Sequence, residues 1–217
     1  MYFIKAPFWL RSLYRPLIWK IPEREKILYL TFDDGPHETA TPFVLDQLNK
    51  FGAKATFFCI GKNVDEQPAI YQRLIEEGHR VGNHTQNHLN GWKVSEAEYL
   101  GNIDQAAKSI HSNLFRPPYG RIKMGAINKV KDLIEKNAKE RGIFAAAKIV
   151  MWDVLSGDFD TRLTPGDCLK NVTKNASSGS IIVFHDSAKA WERLEFALPW
   201  VLDYYSKEGY QFKVIPD

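Results

Sequence analysis

Short apolar runs that suit strands alternate along this chain with stretches whose apolar residues recur every three or four positions. The strand-like runs are 27–32 (ILYLTF), 55–60 (ATFFCI), 80–83 (RVGN), 114–116 (LFR), 148–153 (KIVMWD), 180–185 (SIIVFH) and 211–214 (QFKV). Helical patterns occupy 40–50, 67–77, 95–112, 123–141, 165–177 and 190–207. Strand, helix, strand in repetition predicts a parallel sheet with helices packed outside it. The count of strands suits a barrel one unit short of the usual eight or an open doubly wound sheet, and periodicity does not choose between them. Thr164-Pro165 reads as a helix start, with a capping hydroxyl followed by proline in the first turn. Pro199 is expected to kink the last helix.

Composition changes this picture little. The 217 residues, 44% hydrophobic and 25% charged, are enough for one domain with a full core, and no repeat or Gly/Ser linker divides them. A net charge of only +3, spread along the chain, argues against a nucleic-acid binder, which usually shows a concentrated basic footprint. Cys59 and Cys168 stand far apart and outside any metal-binding spacing, as expected of buried free thiols in a reducing compartment.

The amino terminus is less ordinary. Residues 1–25 read as an extension before a domain over 26–217. Up to Glu23 the extension carries six aromatics (Tyr2, Phe3, Phe8, Trp9, Tyr14, Trp19) and four bases (Lys5, Arg11, Arg15, Lys20), with no acid between them. Arg11 and Arg15 interrupt what would be a signal-peptide core, and no run is long enough for a membrane span. The expected location is therefore the cytoplasm or the inner membrane periphery. Two readings of the extension stand: residues 1–22 lie on an anionic membrane surface, or they pack across one end of the domain. Pro7, Pro16 and Pro22 break any continuous amphipathic helix and favour the second.

Candidate chemistry gathers after the strands. Asp33 and Asp34 follow the first, His84 the third, Arg116 the fourth, Asp153 and Asp158 the fifth, and His185 with Asp186 the sixth. Carboxyl ends of successive parallel strands share one face, where barrel active sites are built. His84-x-x-x-His88 can aim two imidazoles at one ion from a helical turn or a tight loop. Thr85 stands where the zinc-protease pattern needs Glu, which argues against a metalloprotease. Asp33 or Asp34 can complete a two-His, one-carboxylate site, leaving the other to take a proton from water. Asp-Asp-Gly-Pro is also good turn chemistry, and it is the convergence of His84, His88, Arg116 and His185 that favours a site.

Taken together, Thr31-Phe32-Asp33-Asp34-Gly35, His84-Thr85-Gln86-Asn87-His88, Arg116-Pro117-Pro118-Tyr119, Trp152-Asp153 through Asp158-Phe159, and Val183-Phe184-His185 resemble the five ordered motifs of the polysaccharide deacetylases with a NodB homology domain (carbohydrate esterase family four). The resemblance runs over roughly residues 26 to 214. It implies an α/β fold, a distorted (β/α) barrel of about seven units, one divalent metal ion (commonly zinc), and removal of N-acetyl groups from amino-sugar oligo- or polysaccharides of chitooligosaccharide or peptidoglycan type. By motif position, Asp33 is similar to the general base, and Asp34, His84 and His88 to the metal ligands. Arg116 corresponds to the residue that holds the base, and His185 to the general acid, oriented by Asp158. The Tyr119 N–H corresponds to an oxyanion donor.

Pro118, Tyr119, Trp152, Phe159 and Val183 match substrate-contacting positions. Phe159 and Val183 stand where the family usually has Trp and Leu, at places associated with the acetyl-methyl pocket. Residues 121–147 exceed the usual spacer and could reshape one cleft wall. The rivals are an O-acetyl esterase on polysaccharide such as xylan, a hydrolase of non-sugar amides, and an inactive sugar-binding homologue. The last is disfavoured because a binding module needs no acid and base pair. No oligomeric state is implied.

Overall fold

A computed structural model describes residues 2–217. Its strands are β1 (Ile27–Asp33), β2 (Thr56–Cys59), β3 (Arg80–Asn83), β4 (Leu114–Phe115), β5 (Lys148–Ile149), β6 (Val154–Leu155), β7 (Ile181–His185) and β8 (Gln211–Phe212). They lie in the order β5-β4-β3-β2-β1-β7-β6, with β8 beside the start of β1, and every pairing is parallel. Around this curled, distorted (β/α) barrel stand α1 (Phe8–Leu13), α2 (Ala40–Lys50), α3 (Gly61–Glu66), α4 (Pro68–Glu76), α5 (Glu96–Ala106), α6 (Ile127–Lys139), α7 (Pro165–Thr173) and α8 (Trp191–Lys207).

All seven residues of β1 are buried because both faces of the strand are covered. Leu28, Leu30 and Phe32 pack outward against Val44, Leu48, Val172 and Leu198 of the helices. Ile27 and Tyr29 pack inward with Phe58, Leu114, Val150 and Ile181. The two-residue period therefore carries Thr31 and Asp33 to the inside as well. Helix starts follow the expected chemistry: the Ser95 hydroxyl accepts the Glu98 N–H, and Thr164 and Asp167 cap one another reciprocally. α8 runs through Pro199 as a single element. Cys59 and Cys168 are buried free thiols.

The expected strand over 148–153 divides in two. Lys148 and Ile149 pair with β4, whereas Val154 and Leu155 pair with β7, at the opposite edge of the sheet. Residues 150–153 thus cross the opening where the barrel fails to close. The amino-terminal segment lies along this crossing. The Ile18 N–H donates to the Ile149 carbonyl at 2.9 Å, the Met151 N–H to the Ile18 carbonyl at 2.7 Å, and the Leu155 N–H to the Ile4 carbonyl at 2.8 Å. Asp153, expected at the catalytic face, instead lies fully buried beneath this segment. Its carboxylate accepts from Lys5 Nζ at 2.7 Å, Ser180 Oγ at 2.6 Å and Arg11 Nη1 at 3.4 Å.

Ala6, Leu17 and Trp19 are buried in the same cluster as Phe115, Ile127 and Ile134. We propose that residues 1–25 are an integral part of the domain rather than a separable extension. Trp19→Ala is then expected to destabilise the protein by about 3–5 kcal/mol, the usual cost of truncating a buried tryptophan. Denaturant unfolding measures this, and a loss under about 1 kcal/mol, the range of an ordinary surface substitution, would show that the segment adds nothing to the core.

Candidate active site

Register brings the first pair of groups together. β1 and β7 are adjacent, and Asp33 is aligned with His185 at their carboxyl ends. Arg116 enters from just beyond β4 and is completely buried. Its Nη1 donates to Asp33 Oδ1 at 2.6 Å and to Thr31 Oγ1 at 2.8 Å. Its Nε and Nη2 donate to the carbonyls of Val150 and Met151 at 3.1 and 2.9 Å. The guanidinium also lies 4.1 Å from the centre of the Phe58 ring. Gly82 makes room for that ring, since a Cβ there would come within 2.6 Å of Phe58. So many fixed acceptors leave Arg116 one geometry, and through it they fix the Asp33 carboxylate. Burial raises the Asp33 pKa above the ordinary carboxylate value, and Asp34 adds to this against the opposing charges of Arg116 and His185.

Beyond Asp33 the backbone turns through Asp34, whose φ is 79°. Asp34, Thr85, His88 and Tyr119 are the four non-glycine residues with positive φ among those described, and all lie in the motif loops. Strained backbone concentrated at one place is a mark of a functional site. Here it aims Asp34 and His88 at one point. Asp34 Oδ1 lies 3.2 Å from His88 Nε2 and 3.6 Å from His84 Nε2. One ligand atom from each residue falls within 4.8 Å of the others.

The His84 Nδ1 is 2.8 Å from the Arg116 carbonyl, which can only accept, so Nδ1 carries the proton and Nε2 presents its lone pair. Burial lowers the pKa of both imidazoles, which keeps them neutral and able to ligate. Asp34 Oδ1 is buried and has no hydrogen-bond partner. A buried, orphaned carboxylate oxygen facing two imidazole lone pairs fits a divalent cation and is costly without one.

His185 faces this group from β7. Asp158, fully buried, accepts twice from the same residue: Oδ1 from the imidazole Nδ1–H at 2.8 Å and Oδ2 from the backbone N–H at 2.7 Å. Burial works against the charged ring. The charge and hydrogen bond of Asp158, followed by Asp34 and Asp33, outweigh it and push the His185 pKa up to about 9.

A cleft of about 480 Å³ joins Asp33, Asp34, His84, His88 and His185. Tyr119, Trp152, Phe159 and Val183 line it, whereas Pro118 is buried in the turn behind Tyr119 and does not. The Phe159 ring stands edge-on to His185 at 5.2 Å. Residues that sequence reasoning missed also line the cleft: Tyr2, Asn90, Arg121, Leu155, Ser187 and Lys189. Tyr2 packs on Phe159 at 5.0 Å and donates its hydroxyl to Asp160. Of the 121–147 stretch, Arg121 reaches this wall and stacks on Trp92, while α6 packs away from it on the α5 side.

Most supports for the loops were missed too. α3 ties the Asp34 turn and the His84–His88 loop together: the Gly61 and Lys62 N–H groups donate to the carbonyls of Thr85 and Gln86, and Asn63 Nδ2 donates to the Asp34 carbonyl at 2.7 Å. Asn83 Oδ1 accepts from the Thr85 N–H, and Asn102 Oδ1 from the Asn87 N–H. Asp186 accepts from the Gly35 N–H and the Thr41 hydroxyl, and a Cβ at residue 35 would collide with its carboxylate. Sequence reasoning places Asp186 with His185 after the sixth expected strand, and Asn83 adjoins a motif histidine, the one sequence signal it offers. Asn63 and Asn102 gave none.

Known proteins with this arrangement are identifiable. The family described as polysaccharide deacetylase matches residues 20–136. A peptidoglycan-N-acetylglucosamine deacetylase of Bacillus cereus is 36% identical over 206 residues, covering 92% of this chain and 91% of that protein. A chitooligosaccharide deacetylase of Azorhizobium caulinodans is 31% identical over 77% of each chain. Among solved structures, a peptidoglycan N-acetylglucosamine deacetylase in complex with 4-naphthalen-1-yl-N-oxidanyl-benzamide superposes with a TM-score of 0.82 at 30% identity, covering 97% of this chain and 95% of that one. By sequence, motif order and fold, the chain belongs to the polysaccharide deacetylase family.

Proposed function

We propose that this protein is a metal-dependent hydrolase that removes N-acetyl groups from amino-sugar oligo- or polysaccharides of the peptidoglycan or chitooligosaccharide type. One observation carries the reading. A buried Asp33–Arg116 pair and a buried Asp158–His185 pair flank the Asp34, His84 and His88 ligand group within a single cleft. The names of the relatives support the substrate class.

Asp34, His84 and His88 would hold the ion, and two imidazoles with one carboxylate suit zinc with positions left open. Bound there, it would supply Lewis-acid polarisation and a lowered pKa for water. The protein's own groups do the rest. Asp33, fixed by Arg116, takes a proton from the water that adds to the acetyl carbonyl. The Tyr119 N–H donates to the oxyanion that develops. His185 gives its proton to the amine nitrogen as the C–N bond breaks, and acetate and a free amino sugar leave. Asp158 keeps the ring charged and oriented for that transfer. Trp152, Phe159, Val183 and Tyr119 form the walls that receive the acetyl group and the sugar.

Acetate release from chitooligosaccharides, peptidoglycan fragments and acetylxylan tests the proposal. Release from the amino-sugar substrates is expected, with loss on chelation and recovery on adding zinc back. Release from acetylxylan alone would make the protein an O-acetyl esterase. Activity indifferent to chelator would overturn the metal assignment.

A further inference from the structure

The amino-terminal segment packs on the domain with one side only. Its inward side is the buried Ala6, Leu17 and Trp19 described above. Its outward side carries Phe3, Phe8, Trp9 and Leu13, all exposed, with Phe8 at 79% and Trp9 at 59%. Isolated exposed apolar residues are ordinary, but four within eleven positions are not. Their setting matters more than their number.

α1 forms a ridge between two hollows. Phe8, Arg11, Ser12 and Arg15, at helical spacing, face an open cleft of about 700 Å³ that Lys20 and Lys148 also line. That lining contains four cations and no carboxylate side chain. Trp9, Leu10, Leu13 and Tyr14 face a second, apolar hollow of about 360 Å³. Tyr2, Tyr119, Arg121 and Trp152 line both that hollow and the catalytic cleft.

From these features we infer that the outward face of residues 3–20 docks on an anionic lipid bilayer. Phe8, Trp9 and Leu13 enter the interface, and Arg15, Lys20 and Lys148 meet lipid phosphates. Aromatic and aliphatic side chains beside a basic face are the combination that holds a peripheral protein at a membrane surface, and neither signal alone gives stable binding. Residues 2–22 contain no acid that would repel such a surface. The continuity of the apolar hollow with the catalytic cleft places the reaction centre beside the docked face. The inference rests on this surface and not on the chemistry proposed for the cleft.

The test is flotation of the full-length protein with vesicles of phosphatidylcholine alone and of phosphatidylcholine mixed with phosphatidylglycerol. Binding is expected to the anionic vesicles, released by salt. The Phe8→Ala/Trp9→Ala and Arg15→Ala variants are each expected to bind about tenfold more weakly, with unchanged thermal midpoints because these side chains are exposed. Absence of binding, equal binding to neutral vesicles, or anionic binding unaffected by the Phe8→Ala/Trp9→Ala change would each overturn the inference. The last outcome would leave a plain cationic patch.

Discussion

Asp33→Asn is expected to keep its metal and lose activity by a factor of about 10² to 10⁴ in kcat, the usual worth of a positioned general base. The side chain is buried and held at 2.6 Å by Arg116, and an amide of the same shape can still accept that hydrogen bond. It cannot accept a proton from water. Asp34, His84 and His88, the proposed ligands, are untouched, so metal content should stay near that of the parent. Asp34→Asn should fail in the other order. Its Oδ1 is the orphaned oxygen facing His84 and His88, and a neutral amide oxygen is a poorer partner for a dication. Metal affinity should fall first, with part of the activity returning in excess metal. Titrating zinc into both variants while following acetate separates the roles. If Asp33→Asn is the variant stripped of metal, the assignment is reversed. If both keep full activity, this face is not the site.

That two adjacent aspartates can be told apart at all depends on backbone geometry, part of which is legible in the sequence. The run ILYLTF followed by Asp-Asp-Gly announces a buried strand ending in a polar turn, and the strand period alone places Asp33 on the inside with Tyr29 and Thr31. Parallel pairing of 27–33 with 181–185 then sets His185 beside Asp33. The six expected helices all exist. The closure of the barrel was not legible. Residues 148–153 read as one strand because their apolar pattern is continuous, yet the chain pairs only Lys148 and Ile149 at one sheet edge and then crosses to the other, where Val154 and Leu155 pair. What fills the gap is the amino-terminal segment, more than a hundred residues away in sequence, and local pattern carries no information on such contacts. The same blindness misplaced Asp153, whose partners are Lys5, Arg11 and Ser180. α3 was missed because only Gly61 and Val64 are buried in it, too few positions to show a period. Its work is done by backbone amides and one asparagine.

The second large effect is expected at Asp158, read through the pH dependence of activity. On the proposed mechanism His185 carries a proton for the leaving amine, so the alkaline limb of the profile follows its pKa, which Asp158 and the other carboxylates hold at about 9. Asp33 must be unprotonated, so the acid limb follows a carboxylate whose pKa burial has raised. Activity should therefore be bell-shaped, lost as pH falls through the pKa of Asp33 and as pH rises through that of His185. Cation binding at Asp34 would cancel one of the charges favouring the imidazolium and draw the alkaline limb down, an effect visible by comparing metals.

Asp158→Asn removes the principal charge opposing the desolvation of His185. Its single amide oxygen can meet only one of the two donors, ring and backbone, that the carboxylate now satisfies. The alkaline limb should move toward neutral pH, and kcat above the shifted pKa should fall by about 10² or more, as expected when a positioned acid loses its proton and orientation. Metal content should be unchanged, because Asp158 touches none of the ligands. A variant that loses activity equally at every pH, with the alkaline limb where it was, would show that Asp158 only supports the fold and that His185 is not the acid.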